Sequence, residues 1–161
     1  MCAGLLQARY TVTLLLVAGT PWNDLSALLR EHGDLARVIE AGIDEPEPKR
    51  AAHLAYLAMR DLRFDCAFLA DSEPSGFYAL CAKRAGLGFV RAPFVQVART
   101  SAEWLRARGL ATYRTADDLD RAYMTRRSLE LADEVIVAGP AHERARRDAG
   151  VALRAVRHAA R

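Results

Sequence analysis

Two hydrophobic periods alternate along this chain of 161 residues. Short runs of β-branched and other apolar residues predict buried strands, and apolar residues spaced three and four apart predict helices. The predicted strands are Val12–Val17, Ala36–Ile39, Asp65–Ala70, Phe94–Ala98 and Glu134–Ala138. The predicted helices are one that begins at Asn23 or Asp24, then Arg50–Leu62, Ser75–Ala85, Ser101–Arg108, Asp117–Ala132 and Ala141–Ala149.

This alternation predicts an α/β fold, because strands separated by helices of this length imply right-handed crossovers. We expect one domain over residues 1–150, an open and mostly parallel Rossmann-like sheet with helices on both faces. The strands Val12–Val17, Asp65–Leu69, Phe94–Ala98 and Glu134–Val137 are expected to be parallel neighbours. Residues 151–161 are expected to form a basic tail that continues an Arg-rich helix with a solvated face.

Composition narrows the class of protein. Hydrophobic residues make up 52% and charged residues 27%, which is enough for one sizeable core. The net charge is only +3, with acidic residues dispersed among the basic ones, so the pattern argues against a nucleic-acid partner. No apolar run is long enough to predict a membrane span. The three cysteines have no metal-ligand spacing and suggest a reducing cytoplasm.

The candidate site residues follow two predicted strands, since ligands of parallel sheets bind beyond the carboxyl ends of the strands. Asp71, Glu73 and Gly76 follow the first; the carboxylates could orient hydroxyl groups or act as an acid–base pair, or the acids could simply favour a helix start. The second strand is followed by Arg99, Thr100 and Ser101, which could bind an anion or a hydroxyl group or only cap a helix.

Other polar residues are better explained as structural. Asp118 and Asp120 open a helix, where acidic residues are expected, and their side chains would diverge, which argues against a metal site. Arg126 and Glu130 are spaced to form an ion pair along one helix. The histidines have no metal-ligand spacing, and the sequence has no phosphate-binding loop. The pattern therefore predicts neither a metal nor another cofactor.

Three segments in sequence carry a family resemblance: "FDCAFLADSEPSGFYALCAKRAGLGF", then "RTSAEWL", then "DLDRAYMTRRSLELADEVIVAGPA". Together they resemble the acceptor-side, N-terminal domain of GT-B fold glycosyltransferases of the glycosyltransferase 4-like group. The match covers residues 64–142, and the last segment is its most specific part. Positions that agree with the family pattern are Gly76, Lys83, Trp104 and the run Glu130–Asp133.

This sequence departs from the family pattern more often at polar positions that carry chemistry than at scaffold positions. Ser72 stands where the family usually has Trp, and Arg99 stands where it has a turn His. Thr125 replaces a common acidic residue, and Ala141 replaces a Ser. The resemblance also implies that the family's first strand–helix unit and its donor-binding second domain are not among these residues.

The resemblance implies an acceptor-binding domain of a retaining, nucleotide-sugar-dependent glycosyltransferase, inactive without a donor-binding domain. Its expected ligand is a sugar or polyol acceptor at Asp71, Glu73, Gly76, Arg99, Thr100 and Ser101. A separate donor-binding domain or a second copy of the chain would be its protein partner. One alternative is a degenerate, non-catalytic binding or scaffold module. Another is a small Rossmann-like protein with an unrelated ligand, for which Gly19-Thr20-Pro21 is a poor phosphate loop.

Overall fold

A computed structural model describes residues 5, 7–16, 30, 31, 33, 34, 36–40, 47–98, 105, 109 and 112–159. In chain order the elements are β1 (Val12–Leu16), β2 (Ala36–Glu40), α1 (Pro48–Arg60), β3 (Ala67–Ala70), α2 (Phe77–Arg84), β4 (Phe94–Ala98), α3 (Ala116–Leu131), β5 (Glu134–Val137), α4 (Pro140–Asp148) and β6 (Val156–His158). The predicted helices that begin at Asn23 or Asp24 and at Ser101 lie almost entirely outside the described residues.

The strands form parallel sheets, as the alternation predicts. β3, β4, β5 and β6 are neighbours in that order, and every pair is parallel. β1 pairs in parallel with β2, and these two make a sheet of their own. The structure therefore confirms the α/β class and the parallel pairing of β3, β4 and β5, but it separates β1 from them.

Local signals set the ends of several helices. Glu47 caps α1 by accepting the backbone N–H groups of Lys49 and Arg50, at 2.9 and 2.8 Å. Gly86 follows α2 and Gly150 follows α4, both at positive φ, a conformation that glycine adopts without the strain of a side chain. The predicted helix ends at these two glycines are confirmed.

The core lies on one face of the four-stranded sheet. Side chains at alternate strand positions share a face, so Leu69, Phe94, Ala98, Val135 and Val137 meet there. Buried residues of α1, α2 and α3 pack against them: Met59, Ala79, Leu80 and Leu129. Since the three crossovers from β3 to β6 step in the same direction, right-handed connections put α2, α3 and α4 on this face.

The C-terminal residues differ from the predicted helical tail. Val151 and Leu153 are buried in the core, and Val156–His158 adds a strand beside β5. Helix α4 ends at Asp148 because Gly150 reverses the chain. The backbone N–H of Gly150 donates to Arg147 O at 2.9 Å. Residues 151–158 thus belong to the domain, and the prediction of a solvated helix there is wrong.

Asp133 joins three elements at the amino-terminal edge of the sheet. Its Oδ2 accepts the backbone N–H of Phe94 at 2.8 Å, and its own N–H donates to Phe94 O at 3.0 Å. Lys83 and Arg84 of α2 form ion pairs with the same carboxylate, at 3.1 and 3.2 Å. The carboxylate therefore fixes the start of β4 against the start of β5 and holds the end of α2 beside them.

These contacts decide the charge state of Asp133. Burial alone would raise the pKa of its carboxyl group. The hydrogen bond from Phe94, with the ammonium of Lys83 and the guanidinium of Arg84, outweighs burial and lowers the pKa below its ordinary value. The ionised form is thus the one that stabilises the fold.

We expect Asp133→Asn to lower the free energy of unfolding at pH 7 by about 1–3 kcal/mol, because the charged partners lose their acceptor. Since the folded-state pKa is lowered, this stabilisation is complete above the unfolded-state pKa of about 3.9. It is lost as the pH falls through the folded-state value. Urea unfolding across this pH range measures the difference between the variant and the original protein.

The matched control is Asp65→Asn, at an exposed carboxylate before β3. It should change the free energy of unfolding by less than about 0.5 kcal/mol. At pH 2–3, below the reference pKa of about 3.9, the difference in the free energy of unfolding between Asp133→Asn and the original protein should shrink. If it stays unchanged there, the ionised carboxylate does not have this role.

Candidate functional site

The carboxyl ends of β3, β4 and β5 lie along one edge of the sheet, where a parallel α/β fold binds its ligands. Asp71 comes directly after β3, and Gly139 lies just beyond β5 at the start of α4. Gly139-Pro140 is therefore a strand-end turn on the ligand side.

Asp71 is buried because of its place on the strand. Alternation puts its side chain on the same side as Leu69, which is the core side, and its N–H extends the ladder by donating to Val97 O at 3.2 Å. Its Oδ2 accepts a hydrogen bond of 2.6 Å from Arg146 Nη2. The two residues are 3% and 4% exposed, so this is a buried ion pair.

The buried pair ties the end of β3 to α4, the helix that follows β5. Arg146 is the buried residue of α4, a helix without a large apolar side chain. Its Nε is also buried and has no hydrogen-bond partner in the part of the chain that the structure describes. Because an unbonded buried donor is costly, the interaction with Asp71 has to offset the burial of the whole guanidinium group.

Glu73 lies further along the same loop and is partly exposed. Its carboxylate pairs with Arg121 of α3. Beside this pair, Lys49 of α1 donates to the carboxylate of Asp120 of α3 at 2.6 Å, and this hydrogen bond raises the pKa of the lysine. The amino-terminal ends of α1 and α3 thus meet the loop after β3 at the ligand edge.

Gly76 has a packing role. A Cβ atom at this position would lie 2.3 Å from Leu69 Cδ1 and 3.0 Å from Leu69 Cγ, which is far inside van der Waals contact. The glycine therefore lets the loop after β3 approach the strand that precedes it. It supports the candidate site by shaping the loop and offers no group that could bind a ligand by its side chain.

The predicted site residues have different outcomes. Asp71 and Glu73 lie at the expected edge, and each contacts an arginine that the sequence did not single out. Arg99, Thr100 and Ser101 lie outside the described residues, so their part of the prediction stays a prediction. One signal for Arg146 was available: α4 has no large apolar residue, so a charged side chain had to fill its contact with the sheet.

The polar residues interpreted as structural make contacts within and between helices. Asp118 and Thr115 form a capping box at the start of α3. Arg126 bonds Glu130 at 3.2 Å and also donates to Gly150 O at 2.7 Å, which fastens α3 to the end of α4. In the described ranges there is no cluster of three potential metal ligands.

The comparisons with known protein families, curated proteins and solved structures gave no match. The chemistry of the site depends on the side chains at the carboxyl edge of the sheet. Its described groups are carboxylates and cations in pairs, together with the exposed hydroxyl of Ser72. Such groups can accept and donate hydrogen bonds to a polyhydroxylated ligand.

We expect Asp71→Asn and Arg146→Met each to lower the free energy of unfolding by about 3–5 kcal/mol, because each leaves one buried polar partner uncompensated. The double variant Asp71→Leu/Arg146→Met should recover much of this loss, since both buried charges are removed. Urea unfolding of the three variants measures the coupling between the residues.

The control for this cycle is Arg147→Met on the same helix, whose pair with Glu143 (2.9 Å) is partly exposed. It should cost less than about 1 kcal/mol. Single variants at Asp71 and Arg146 that cost no more than this control would show that the buried pair does not hold α4 to β3.

Gly76→Ala should destabilise the protein by about 1–3 kcal/mol, because the added methyl group overlaps the buried side chain of Leu69. Gly88→Ala is the matched control, since open space surrounds Gly88. Thermal unfolding compares the two. A second variant, Gly76→Ala/Leu69→Ala, should relieve the overlap. If its thermal stability equals that of Leu69→Ala, the close approach explains the cost of Gly76→Ala. A further loss of stability in the double variant would contradict this explanation.

Proposed function

We propose that this chain is the acceptor-binding domain of a retaining, nucleotide-sugar-dependent glycosyltransferase of GT-B type. The proposal rests on the segment resemblance over residues 64–142 together with the α/β architecture. In this proposal a sugar or polyol acceptor lies over the loop after β3, and a second domain supplies the nucleotide sugar. The 161 residues alone do not catalyse transfer.

One observation supports the position of the acceptor more than any other. The loop after β3 is contacted by arginines from two different helices, Arg146 of α4 and Arg121 of α3. The carboxylates of Asp71 and Glu73 are therefore held in place before a ligand arrives. Preorganised acceptors bind hydroxyl groups at a lower entropic cost than mobile ones.

The two carboxylates have different parts in this proposal. Glu73 is partly exposed and Ser72 is exposed, so both can bond acceptor hydroxyl groups directly. Asp71 is buried and acts by fixing the loop from which these groups project. Arg99 would contribute charge or hydrogen-bond donors, since a guanidinium stays protonated and does not act as a general base at neutral pH.

A second candidate is a non-catalytic binding or scaffold module derived from the same domain. The observation in its favour is that Asp71 and Glu73 are both bonded to arginine, which leaves less of their acceptor capacity for a ligand. Both candidates share the fold, and they differ in whether a sugar binds at this edge. Binding therefore separates them better than the architecture does.

We expect titration with glucose, mannose, myo-inositol and glycerol to shift backbone amide resonances at Ser72–Gly76, whereas UDP-, GDP- and ADP-sugars bind no better than these acceptors. Glu73→Gln and Thr100→Val should weaken acceptor binding about fivefold, as the loss of a hydrogen bond worth about 1 kcal/mol implies. Nuclear magnetic resonance titration measures the affinities, and calorimetry measures donor binding.

The control is Asp148→Asn, an exposed carboxylate at the end of α4, which should leave acceptor affinity unchanged. Micromolar donor binding, or steady release of nucleoside diphosphate, would contradict the acceptor assignment. A protein that folds and binds none of the acceptors would favour the non-catalytic module instead.

A further inference from the structure

A groove of about 490 Å³ lies at the opposite edge of the sheet, where β3 and β4 begin. Its apolar wall includes the aromatic rings of Tyr56, Phe64 and Phe89. The loop between α2 and β4 forms one side, and the end of α1 with the residues before β3 forms the other. None of the residues that line the groove is acidic.

Ring contacts and hydrogen bonds hold the loop beside the groove. Phe89 has a φ of 56°, which is unusual for a residue with a side chain, and its ring packs against Phe64 and Phe94 with centroids 5.8 and 5.5 Å apart. Lys83 Nζ donates to Phe89 O at 3.4 Å and also to Ala92 O. Both the ring and the carbonyl oxygen of Phe89 are therefore held by neighbouring side chains.

Two apolar side chains project from the same loop. Leu87 is 80% exposed and Val90 is 66% exposed. They stand on either side of the inward-facing Phe89 and both line the groove. Together they form an apolar tip beside the aromatic wall.

Three arginine side chains give the groove its charge. Arg60, Arg63 and Arg91 line it. Arg60 contacts the exposed Asp61 at 3.3 Å, whereas Arg63 and Arg91 have no carboxylate partner within the described part of the chain. By contrast, the arginines that fasten the helices and strands are paired with acids: Arg84, Arg121, Arg126, Arg127, Arg146, Arg147 and Arg157.

We propose that this groove docks the protein on a bilayer surface that carries anionic headgroups. Leu87 and Val90 enter the boundary between headgroups and acyl chains, while Arg63 and Arg91 bond the phosphate oxygens around them. Arginine suits phosphate because its planar donors match the oxyanion geometry. A projecting apolar tip flanked by unpaired cations, without an acid in the groove, has the charge and shape that such a surface requires.

Docking of this kind is independent of the proposed function. The groove is at the amino-terminal ends of β3 and β4, and the candidate acceptor site is at their carboxyl ends. A membrane bound at the groove would leave the acceptor edge facing water. It would also be peripheral, since no helix in the described ranges is long and apolar enough to span a bilayer.

Vesicle co-sedimentation tests the proposal with the full chain. We expect binding to vesicles of equal parts phosphatidylcholine and phosphatidylglycerol, and little binding to phosphatidylcholine alone. Raising the salt from about 0.1 M to about 0.5 M should weaken it, because ions screen exposed charges. Arg63→Gln/Arg91→Gln should reduce the partition coefficient about tenfold or more, as expected for two cations near an anionic surface.

Two further variants separate the contributions. Leu87→Ser/Val90→Ser should also reduce binding to the anionic vesicles, and its melting temperature should be unchanged or higher because both side chains are exposed. Arg144→Gln/Arg154→Gln is the matched control: it removes the same charge at exposed positions away from the groove and should reduce binding about twofold at most.

Three results would overturn the proposal. The first is equal binding to neutral and anionic vesicles, or to neither. The second is an equal loss in the groove variant and the matched charge control, which would show attraction by net charge alone. The third is a dimer in solution that Leu87→Ser/Val90→Ser dissociates while vesicle binding is absent, which would make the surface an interface between copies of the chain.

Discussion

The carboxylate of Asp133 is the contact on which the arrangement of the central sheet depends. It accepts the backbone N–H of Phe94 at 2.8 Å, while the backbone N–H of Asp133 donates to Phe94 O at 3.0 Å, and the two bonds align the first residues of β4 with those of β5. It also receives the cationic end of α2. Arg84 extends this junction by donating to Leu131 O at 2.8 Å, a carbonyl that the end of α3 leaves without a partner inside the helix.

The resemblance on which the proposed function rests includes residues of this junction. Lys83 and Asp133 belong to the pattern of the resembled family, and both are used at the amino-terminal edge of the sheet. Glu130 bonds Arg126 and Arg127 along α3. The most specific segment thus specifies how α2, α3 and β5 assemble. The residues that would bind an acceptor lie at the other edge and follow from a different part of the sequence.

The two edges of the sheet use charge in different ways. At the carboxyl edge, arginine and lysine side chains form ion pairs with acidic residues. One of these pairs is buried and takes the place of apolar packing between α4 and the strands. At the amino-terminal edge, Lys83 and Arg84 also form ion pairs with an acidic residue. The nearby Arg63 and Arg91 have no carboxylate partner in the described ranges. Arg63 and Arg91 are therefore the two cations of this edge on which the proposed docking depends.

The bounds of most described helices and strands were predictable from the sequence to within about two residues. The β4 strand has the predicted bounds, and the glycines after α2 and α4 end those helices because few other residues adopt positive φ without strain. Asp71 and Glu73 could be placed at the ligand edge because they directly follow a predicted strand, and the carboxyl ends of parallel strands lie at the same edge of the sheet. These features depend on residues close together in sequence.

Only the tertiary structure decided where the charges of these residues are used. Asp71 and Arg146 are 75 positions apart, and no local period relates them. The short strand β6 likewise has too few residues to show a period, and its place is fixed by hydrogen bonds to β5 and by the burial of Val151 and Leu153. Hydrophobic periodicity reports which side of an element is apolar. The partner of a buried charge, or of a three-residue strand, depends on distant segments that meet only in the folded chain.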